Sequence, residues 1–160
     1  MSQRTIVIAV DGSENANDAV TWYIEQHLKE GDKVVLVTAI VPDNALPFLA
    51  PVGEAAAAAA LADAARAMQK EAEQEGQRIL AQLSRKFADL PVDCIGRVVS
   101  GDARHAIIEQ VEQSQASLLV IGSRGRGAVA RTLLGSVSDF CLHHVTVPVA
   151  VIRGDISKKN

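Results

Sequence analysis

The hydrophobic positions of the chain fall into two patterns that alternate along its length. Continuous apolar runs, rich in β-branched residues, predict five strands, at Thr5–Val10, Val34–Val41, Val92–Val99, Ser117–Ile121 and Val147–Ile152. Such runs are typical of strands that are buried on both faces of a parallel sheet. The third run has the weakest pattern, because polar or small residues interrupt it at Asp93, Cys94, Gly96 and Arg97.

Helical spacing fills the segments between these runs. After Asp11-Gly12-Ser13, apolar residues recur every three or four positions from Ala16 to Leu28. Ser13 or Asp11 can cap this helix, and Gly31-Asp32 can end it. The same reasoning predicts two further helices, around Ala106–Val111 and at Ser136–His144.

The longest predicted helix runs from Glu54 to Lys86 and contains six consecutive alanines, Ala55–Ala60. Alanine has the highest helix propensity of all residues. At about 1.5 Å per residue, one unbroken helix over this range would be about 50 Å long. A domain of this size is narrower than that, so we expect a frayed or broken start near the alanines.

The alternation of strands and helices predicts a single α/β domain with an open parallel sheet and helices on both faces. We expect this domain to cover residues 1–154 and to be followed by a polar tail at residues 155–160. A chain of 160 residues suits one compact domain of this kind.

Composition narrows the classes of partner. The net charge of −3 and the sequence pI of about 5.8 argue against a protein that binds nucleic acid or an anionic membrane. No apolar run approaches the roughly 20 residues that span a bilayer.

Cys94 and Cys141 lie far apart in apolar stretches and are predicted to be buried free thiols. Met1–Arg4 leave no room for a signal peptide before the first strand, so we expect a cytoplasmic protein.

The residues that could bind a ligand lie in two loops that follow strands. In an open α/β sheet, ligands bind beyond the carboxyl ends of the strands, where the strand order reverses. Asp11-Gly12-Ser13 follows the first strand, and the glycine-rich stretch Gly122–Gly127 follows the fourth. Glycines let backbone N–H groups approach an anion, and the helix that opens at Gly135-Ser136 offers its positive end. Ser136 and Ser138 add hydroxyls, and positive charge comes from Arg124, Arg126 and Arg131. A phosphate is the simplest ligand that uses all of these groups.

Two common phosphate motifs fit this stretch poorly. The pattern G-x-x-x-x-G-K-[ST] fails because Ala128 stands where lysine is required. The pattern G-x-G-x-x-[GA] is met by Gly125, Gly127 and Ala130. That match follows the fourth strand and lacks an acidic partner about 20 residues further on, so it is a weak one.

A third pattern fits, Gly122-x2-Gly125-x9-Gly135-Ser136. It is the G-2x-G-9x-G-[ST] signature of ATP-binding universal stress proteins. The opening Ile8–Ser13 and the closing Pro148–Ile152 are also similar to that family. From about Thr5 to Arg153, the chain therefore resembles the ATP-binding branch of the universal stress protein family.

The resemblance implies a Rossmann-like sheet with strand order 3-2-1-4-5 and an adenine nucleotide, ATP, ADP or AMP, as ligand. It places adenine against Ala9, Val10 and Ala39, and Asp11 beside the ribose or a phosphate-bound Mg²⁺. The implied contacts to ribose and phosphates are Gly122, Ser123, Arg124, Gly125, Arg126, Gly135, Ser136, Val137 and Ser138. A homodimer is implied through the last strand, Val147–Ile152, whose apolar edge such pairing would cover.

Several of these residues also have ordinary structural interpretations. Asp11 can simply cap the first helix, and Ser136 can cap the last one with Asp139 three positions on. Arg124 and Arg126 can be solvated loop residues, and Arg131 is better interpreted as a surface residue. The adjacent His143 and His144 point to different sides of a helix, so no histidine metal site is expected.

Three functions stay open at this point. The leading hypothesis is a regulatory protein in which a bound nucleotide orders the glycine loop and biases a dimer or partner surface. A slow ATPase is the alternative, because Asp11 and an arginine can serve Mg²⁺ and charge, although no residue can be nominated to orient water. The third is a nucleotide-free dimerisation module. Gly122→Val or Gly135→Val is predicted to abolish ATP binding and to leave the fold intact.

Overall fold

The computed structural model describes residues 3–41, 55–125 and 134–154. Within these ranges the chain forms one parallel sheet. Its strands are β1 Thr5–Ala9, β2 Lys33–Ile40, β3 Asp93–Ser100, β4 Leu118–Gly122 and β5 Val149–Ile152. The helices are α1 Glu14–Gln26, α2 Ala55–Ser84, α3 Ala103–Gln113 and α4 Ser136–His144, with a 3₁₀ turn at Arg85–Phe87 after α2.

The strand order is β3-β2-β1-β4-β5, which confirms the predicted order. The chain progresses outward on one side from β1 to β3 and then crosses back to β4 on the other side. In the register of the sheet, Ala9 lies between Val37 of β2 and Ile121 of β4. The carboxyl ends of β1, β2 and β4 therefore meet at the point where the strand order reverses, which is where an open α/β sheet places its ligand.

The three inner strands, β1, β2 and β4, are buried on both faces, as their continuous apolar runs predict. Along β1, Ile6 and Ile8 pack in a layer with α1 and α2, and Val7 and Ala9 pack in a layer with α3 and α4. The first layer receives Val20, Tyr23, Leu80 and Leu83 from its two helices, and the second receives Ile107, Val111 and Cys141. Alternation along each strand thus supplies both layers of an aliphatic core.

The amino ends of β1 and β2 are tied together by a buried ionic cluster, which we define as Arg4, Tyr23 and Asp32. Arg4 donates two hydrogen bonds to the Asp32 carboxylate, at 2.8 and 2.6 Å, and the Tyr23 hydroxyl donates a third. The backbone N–H of Lys29 donates a fourth at 2.9 Å. Burial opposes ionisation of Asp32, but these hydrogen bonds outweigh it and lower the pKa of Asp32 to about 2. Burial and the bond to Asp32 raise the pKa of Tyr23.

The expected break near the alanines of α2 is wrong, because the helix is continuous from Ala55 to Ser84. Its later part packs on the sheet, where Gly76 is buried and Leu80 and Leu83 enter the core. Residues 62–71 are all exposed. The helix therefore extends beyond the sheet, supported there by alanine propensity and by polar pairs such as Asp63–Arg66, and the width of the domain does not limit its length.

The third strand, whose pattern was the weakest, pairs with β2 along its whole length, from Lys33 with Asp93 to Ile40 with Ser100. Its irregular pattern follows from its place at the edge of the sheet, where fewer side chains are buried. Cys94 on this strand is half-buried, whereas Cys141 is fully buried, so the prediction of two buried free thiols holds completely only for Cys141. Burial raises the pKa of Cys141 to about 11.

The last strand is shorter than predicted and begins at Val149 rather than Val147. Proline lacks an N–H group, and Pro148 enters the sheet only as an acceptor, through a 3.0 Å hydrogen bond from the N–H of Leu119. In the described part of the chain, no helix combines the length and the apolar character that crossing a membrane requires.

Candidate functional site

The carboxyl ends of β1, β2 and β4 open into a cavity of about 540 Å³. Proteins commonly bind small molecules in cavities of this size. Eleven of the predicted contact residues line it, namely Ala9, Val10, Asp11, Ala39, Gly122, Arg124, Gly125, Gly135, Ser136, Val137 and Ser138. The structure thus brings together, around one space, residues that come from three separate parts of the chain.

One side of the cavity is lined by small apolar residues. Ala9 and Ala39 carry only a methyl group, so they leave room between the strand ends and the helices. Sequence reasoning missed seven further lining residues, Ala16, Val37, Val41, Ala103, Ile107, Ile121 and Leu134. Two simple signals point to some of them, because Val37 and Val41 share the strand face of Ala39, and Ala103 and Ile107 lie one helical turn apart.

Asp11 belongs to a tight turn between β1 and α1. Its Oδ1 accepts a hydrogen bond from the Ser13 N–H at 3.0 Å, and Gly12 adopts φ of +77°. The cap of α1 is Ser13, whose hydroxyl oxygen accepts from the Ala16 N–H at 3.2 Å. Capping of α1 is therefore done by Ser13, and the Asp11 side chain lies at the cavity wall.

The two predicted loops meet at Asp11 and Gly125. A Cβ added at Gly125 would lie 2.5 Å from Oδ2 of Asp11, closer than real contacts allow. The absence of a side chain at Gly125 thus lets the glycine-rich stretch pass directly against the carboxylate. Whatever ligand contacts one of these two loops is within reach of the other.

Gly122 is required by packing that involves no ligand. A Cβ at this position would lie 2.9 Å from the backbone carbon and oxygen of Asn15 in α1. The backbone of β4 therefore approaches the helix as closely as only glycine permits. This geometry argues against the expectation that Gly122→Val leaves the fold intact.

Ser123, also in the predicted set, does not line the cavity. It is buried, and its backbone joins the glycine-rich stretch to the neighbouring elements. Its N–H donates to the carbonyl of Ile152 at 2.7 Å, and its own carbonyl accepts from the N–H of Gly135 at 2.7 Å. These two bonds fix the path of the chain as it leaves β4.

The start of α4 faces the same cavity. The predicted capping role of Ser136 is wrong, because Gly135 is the N-cap residue and Ser136 is the first helical residue. Gly135 has extended backbone, with φ of −76°, and as a glycine it has no side chain with which to cap the helix. The first N–H groups of any helix lack partners within that helix and lie at the positive end of its dipole. Ser136 and Val137, which carry such groups, line the cavity.

The charged side chains that line the cavity in the described ranges are Asp11 and Arg124. Arg126 and Arg131, the two other arginines of this region, lie outside the described residues. Across residues 3–41, 55–125 and 134–154, no group of three histidine, cysteine or acidic side chains is placed to hold a metal ion. The ring Nδ1 atoms of His143 and His144 each lie 2.8 Å from a backbone carbonyl of their own helix.

The sequence of the chain matches a known protein family. A model of the universal stress protein family matches residues 3–153. The chain belongs to the universal stress protein family. Among curated relatives, universal stress protein PHOS32 from Arabidopsis thaliana is 34% identical over 164 residues. The match covers 95% of this chain and 65% of PHOS32, so this member of the family spans less than two thirds of that relative.

Solved structures of universal stress proteins share the fold. A universal stress protein family protein from Arabidopsis thaliana, solved with AMP bound, superposes with a TM-score of 0.67 at 21% identity, over 98% of this chain and 95% of the other. A universal stress protein in complex with cAMP superposes with a TM-score of 0.60 at 23% identity, over 95% and 98% of the two chains. At these identities the likeness establishes the common architecture.

Proposed function

We propose that this universal stress protein binds an adenine nucleotide in the cavity at the carboxyl edge of its sheet. The observation that carries the proposal is the meeting of three features around one space of about 540 Å³. Small apolar residues of β1 and β2 suit a flat base, the glycine-rich stretch suits a close backbone approach, and the start of α4 suits an anion.

The residues present fit such a ligand. Ala9 and Ala39 leave a gap that larger side chains would fill, and Ile107 of α3 adds a further apolar surface to the cavity. Gly125 keeps the chain free of a side chain at the point nearest the Asp11 carboxylate. Support also comes from the universal stress proteins solved with AMP and with cAMP, which share this fold. The proposed ligand contacts are the predicted residues that line the cavity, together with Arg126, which lies outside the described residues. Ser123 is not among them, because it does not line the cavity, and neither is the hydroxyl of Ser138, which bonds to backbone carbonyls.

Magnesium would enter this site with the nucleotide. Asp11 is the acidic side chain that lines the cavity in the described ranges, and no group of three metal-binding side chains lies there. Phosphate oxygens are ordinary partners of Mg²⁺, which keeps few protein ligands when it binds with nucleotides. We propose that Asp11 holds Mg²⁺ only together with the phosphates of ATP or ADP.

The experiment that tests the proposal is titration calorimetry with AMP, ADP and ATP, each with and without Mg²⁺. Wild-type protein is expected to bind at least one of them. Gly135→Val is expected to remove binding, because Gly135 lines the cavity and a valine there would press on Ser123 and Arg124 and displace the cavity wall. Ala88→Val is the matched control, since Ala88 is exposed and directly follows the 3₁₀ turn after α2. Unchanged affinity in a folded Gly135→Val protein would place the ligand elsewhere.

The proposed role is regulatory, with the nucleotide favouring one state of a dimer or partner surface. A slow ATPase is the second candidate, because Asp11 and Arg124 lie at one cavity. Incubation with labelled ATP separates the two. Nucleotide that stays intact at one equivalent per chain supports the regulatory role, whereas steady turnover that is lost in Asp11→Ala supports the hydrolase. If no nucleotide binds, the third hypothesis, a nucleotide-free dimerisation module, is supported.

The compartment that we propose for this protein is the cytoplasm.

We propose in addition that the chain dimerises through β5. The carbonyls of Pro148 and Ile152 accept hydrogen bonds from β4, so the backbone groups of Val149 and Val151 face the open edge of the sheet. An antiparallel copy can pair with them. Val151→Asp is expected to give monomers by light scattering. Circular dichroism must accompany the measurement, because Val151 also packs against the core.

A further inference from the structure

The two ends of the glycine-rich segment are joined by a small group of hydrogen bonds. Ser123 and Gly135 lie twelve positions apart in the sequence, yet the N–H of Gly135 donates to the carbonyl of Ser123 at 2.7 Å. The hydroxyl of Ser138 lies 3.1 Å from that same carbonyl oxygen and 2.9 Å from the carbonyl oxygen of Gly135. We call this group of three residues the loop clamp.

The Ser138 hydroxyl is committed to the loop clamp as a donor. A serine hydroxyl has one proton and two lone pairs, and both of its carbonyl neighbours can only accept. Each of these carbonyls already accepts one backbone N–H, from Gly135 and from Asp139, and a carbonyl oxygen has a second lone pair for the hydroxyl. Ser138 is only 2% exposed, so water cannot easily replace these partners.

A phosphate oxygen needs a donor, and the Ser138 hydroxyl has no second proton to offer. To donate to a phosphate, it would have to give up the hydrogen bond that its single proton makes to these two carbonyls. Ser136 differs, because it is exposed, lines the cavity and is free of that packing constraint. The two serines of the signature region therefore have different tasks, although the resemblance assigns both to phosphate binding.

We propose that Ser138 is a positioning residue, which closes the two ends of the glycine-rich segment and thereby holds the first N–H groups of α4 toward the cavity. The part of this inference that concerns affinity rests on the proposed nucleotide site. The part that concerns the loop clamp does not, because it describes the protein without ligand.

Amide hydrogen exchange of the ligand-free protein tests the clamp directly. In Ser138→Ala, exchange of the Gly135 amide is expected to become about tenfold faster, which is the effect of losing one hydrogen bond. Ser136→Ala is the matched control and should leave this exchange rate unchanged. Exchange of the Leu36 amide, in the centre of the sheet, should be equal in both variants and shows that global stability is not the cause.

Affinity for AMP and for adenosine completes the test. Ser138→Ala is expected to weaken AMP binding about tenfold and to leave adenosine binding unchanged, since only the phosphate uses the start of α4. Weaker AMP binding with unchanged Gly135 exchange would show a direct contact and overturn the proposal, as would unchanged values of both. Failure of the wild-type protein to bind either ligand would refute the proposed function, while the exchange rates would still decide the clamp.

Discussion

The two edges of the sheet use polar residues in opposite ways. At the amino edge, Asp32 is 2% exposed and accepts hydrogen bonds from Arg4, Tyr23 and the backbone of Lys29. At the carboxyl edge, Asp11, Arg124 and the start of α4 border a cavity. The buried carboxylate of Asp32 contributes to stability, whereas groups that line a cavity can also contact a ligand. Charge alone therefore does not identify which edge of the sheet holds the candidate site.

The largest expected effect is on the stability of the amino edge. Asp32→Ala should lower the free energy of unfolding by about 3 kcal/mol, because it leaves Arg4 and the Tyr23 hydroxyl without their buried partner. Urea unfolding measures this loss. Asp93→Asn is the control at the same edge, since Asp93 is exposed and bonded only at the surface by Gln3, and it should change stability by less than about 0.5 kcal/mol. Equal losses in the two variants would contradict the contrast between buried and exposed carboxylates.

The pH dependence of stability tests the contribution of the Asp32 carboxylate in a second way. In the folded protein the pKa of Asp32 is about 2, below the ordinary value of an aspartate, so its contribution to stability is present above about pH 4 and is lost as the pH falls through 2. Urea unfolding of wild type and Asp32→Asn at pH 5, 3 and 2 isolates this contribution, because the other carboxyl groups titrate in both proteins. The difference between the two proteins should shrink with falling pH, and a constant difference would disprove the linkage.

Two glycines of the signature separate packing from ligand binding. Gly122→Ala should lower the free energy of unfolding by about 2 kcal/mol, because its Cβ would lie 2.9 Å from the backbone of Asn15. Gly135→Ala should change it by less than about 0.5 kcal/mol, since the nearest atom would be 3.4 Å away and the backbone is extended. Thermal and urea unfolding compare the two. If Gly135→Ala is the more destabilising change, the packing argument at Gly122 is wrong.

The smallest expected effect concerns the meeting of the two loops. Gly125→Ala places a methyl group 2.5 Å from the present position of Asp11 Oδ2, which is the end of a side chain and can move more easily than a backbone atom. Stability should therefore stay within about 0.5 kcal/mol of wild type. Affinity for AMP should fall about tenfold, because the displaced carboxylate and the new methyl group both intrude on the cavity. Calorimetry with AMP checks the affinity, and Ala88→Val, at an exposed position that does not line the cavity, serves as the control. Undiminished affinity would exclude Asp11 and Gly125 from the ligand contacts.

Much of the fold could be predicted because its signals are local. Five apolar runs predicted five strands, and all five form, with bounds that shift by one or two residues. Helical spacing predicted α1, α3 and α4 for the same reason. The prediction for α2 was wrong at its start because the argument used the width of the domain, which does not limit a helix that extends into solvent. The spacing of Gly122, Gly125 and Gly135 indicated the site, and these residues do line one cavity.

The sequence by itself determined which segments form strands and helices, which end of the sheet carries glycine and hydroxyl residues, and which family the chain resembles. Only the tertiary structure decided what each of those residues does. Gly122 packs against α1, Ser13 rather than Asp11 caps that helix, and the Ser138 hydroxyl bonds to carbonyls that lie fifteen and three positions before it. The physical reason is the distance along the chain over which each effect acts. Propensity and periodicity act over a few neighbouring residues, whereas the partner of a buried hydroxyl or the space beside a glycine depends on segments that meet only after the chain has folded.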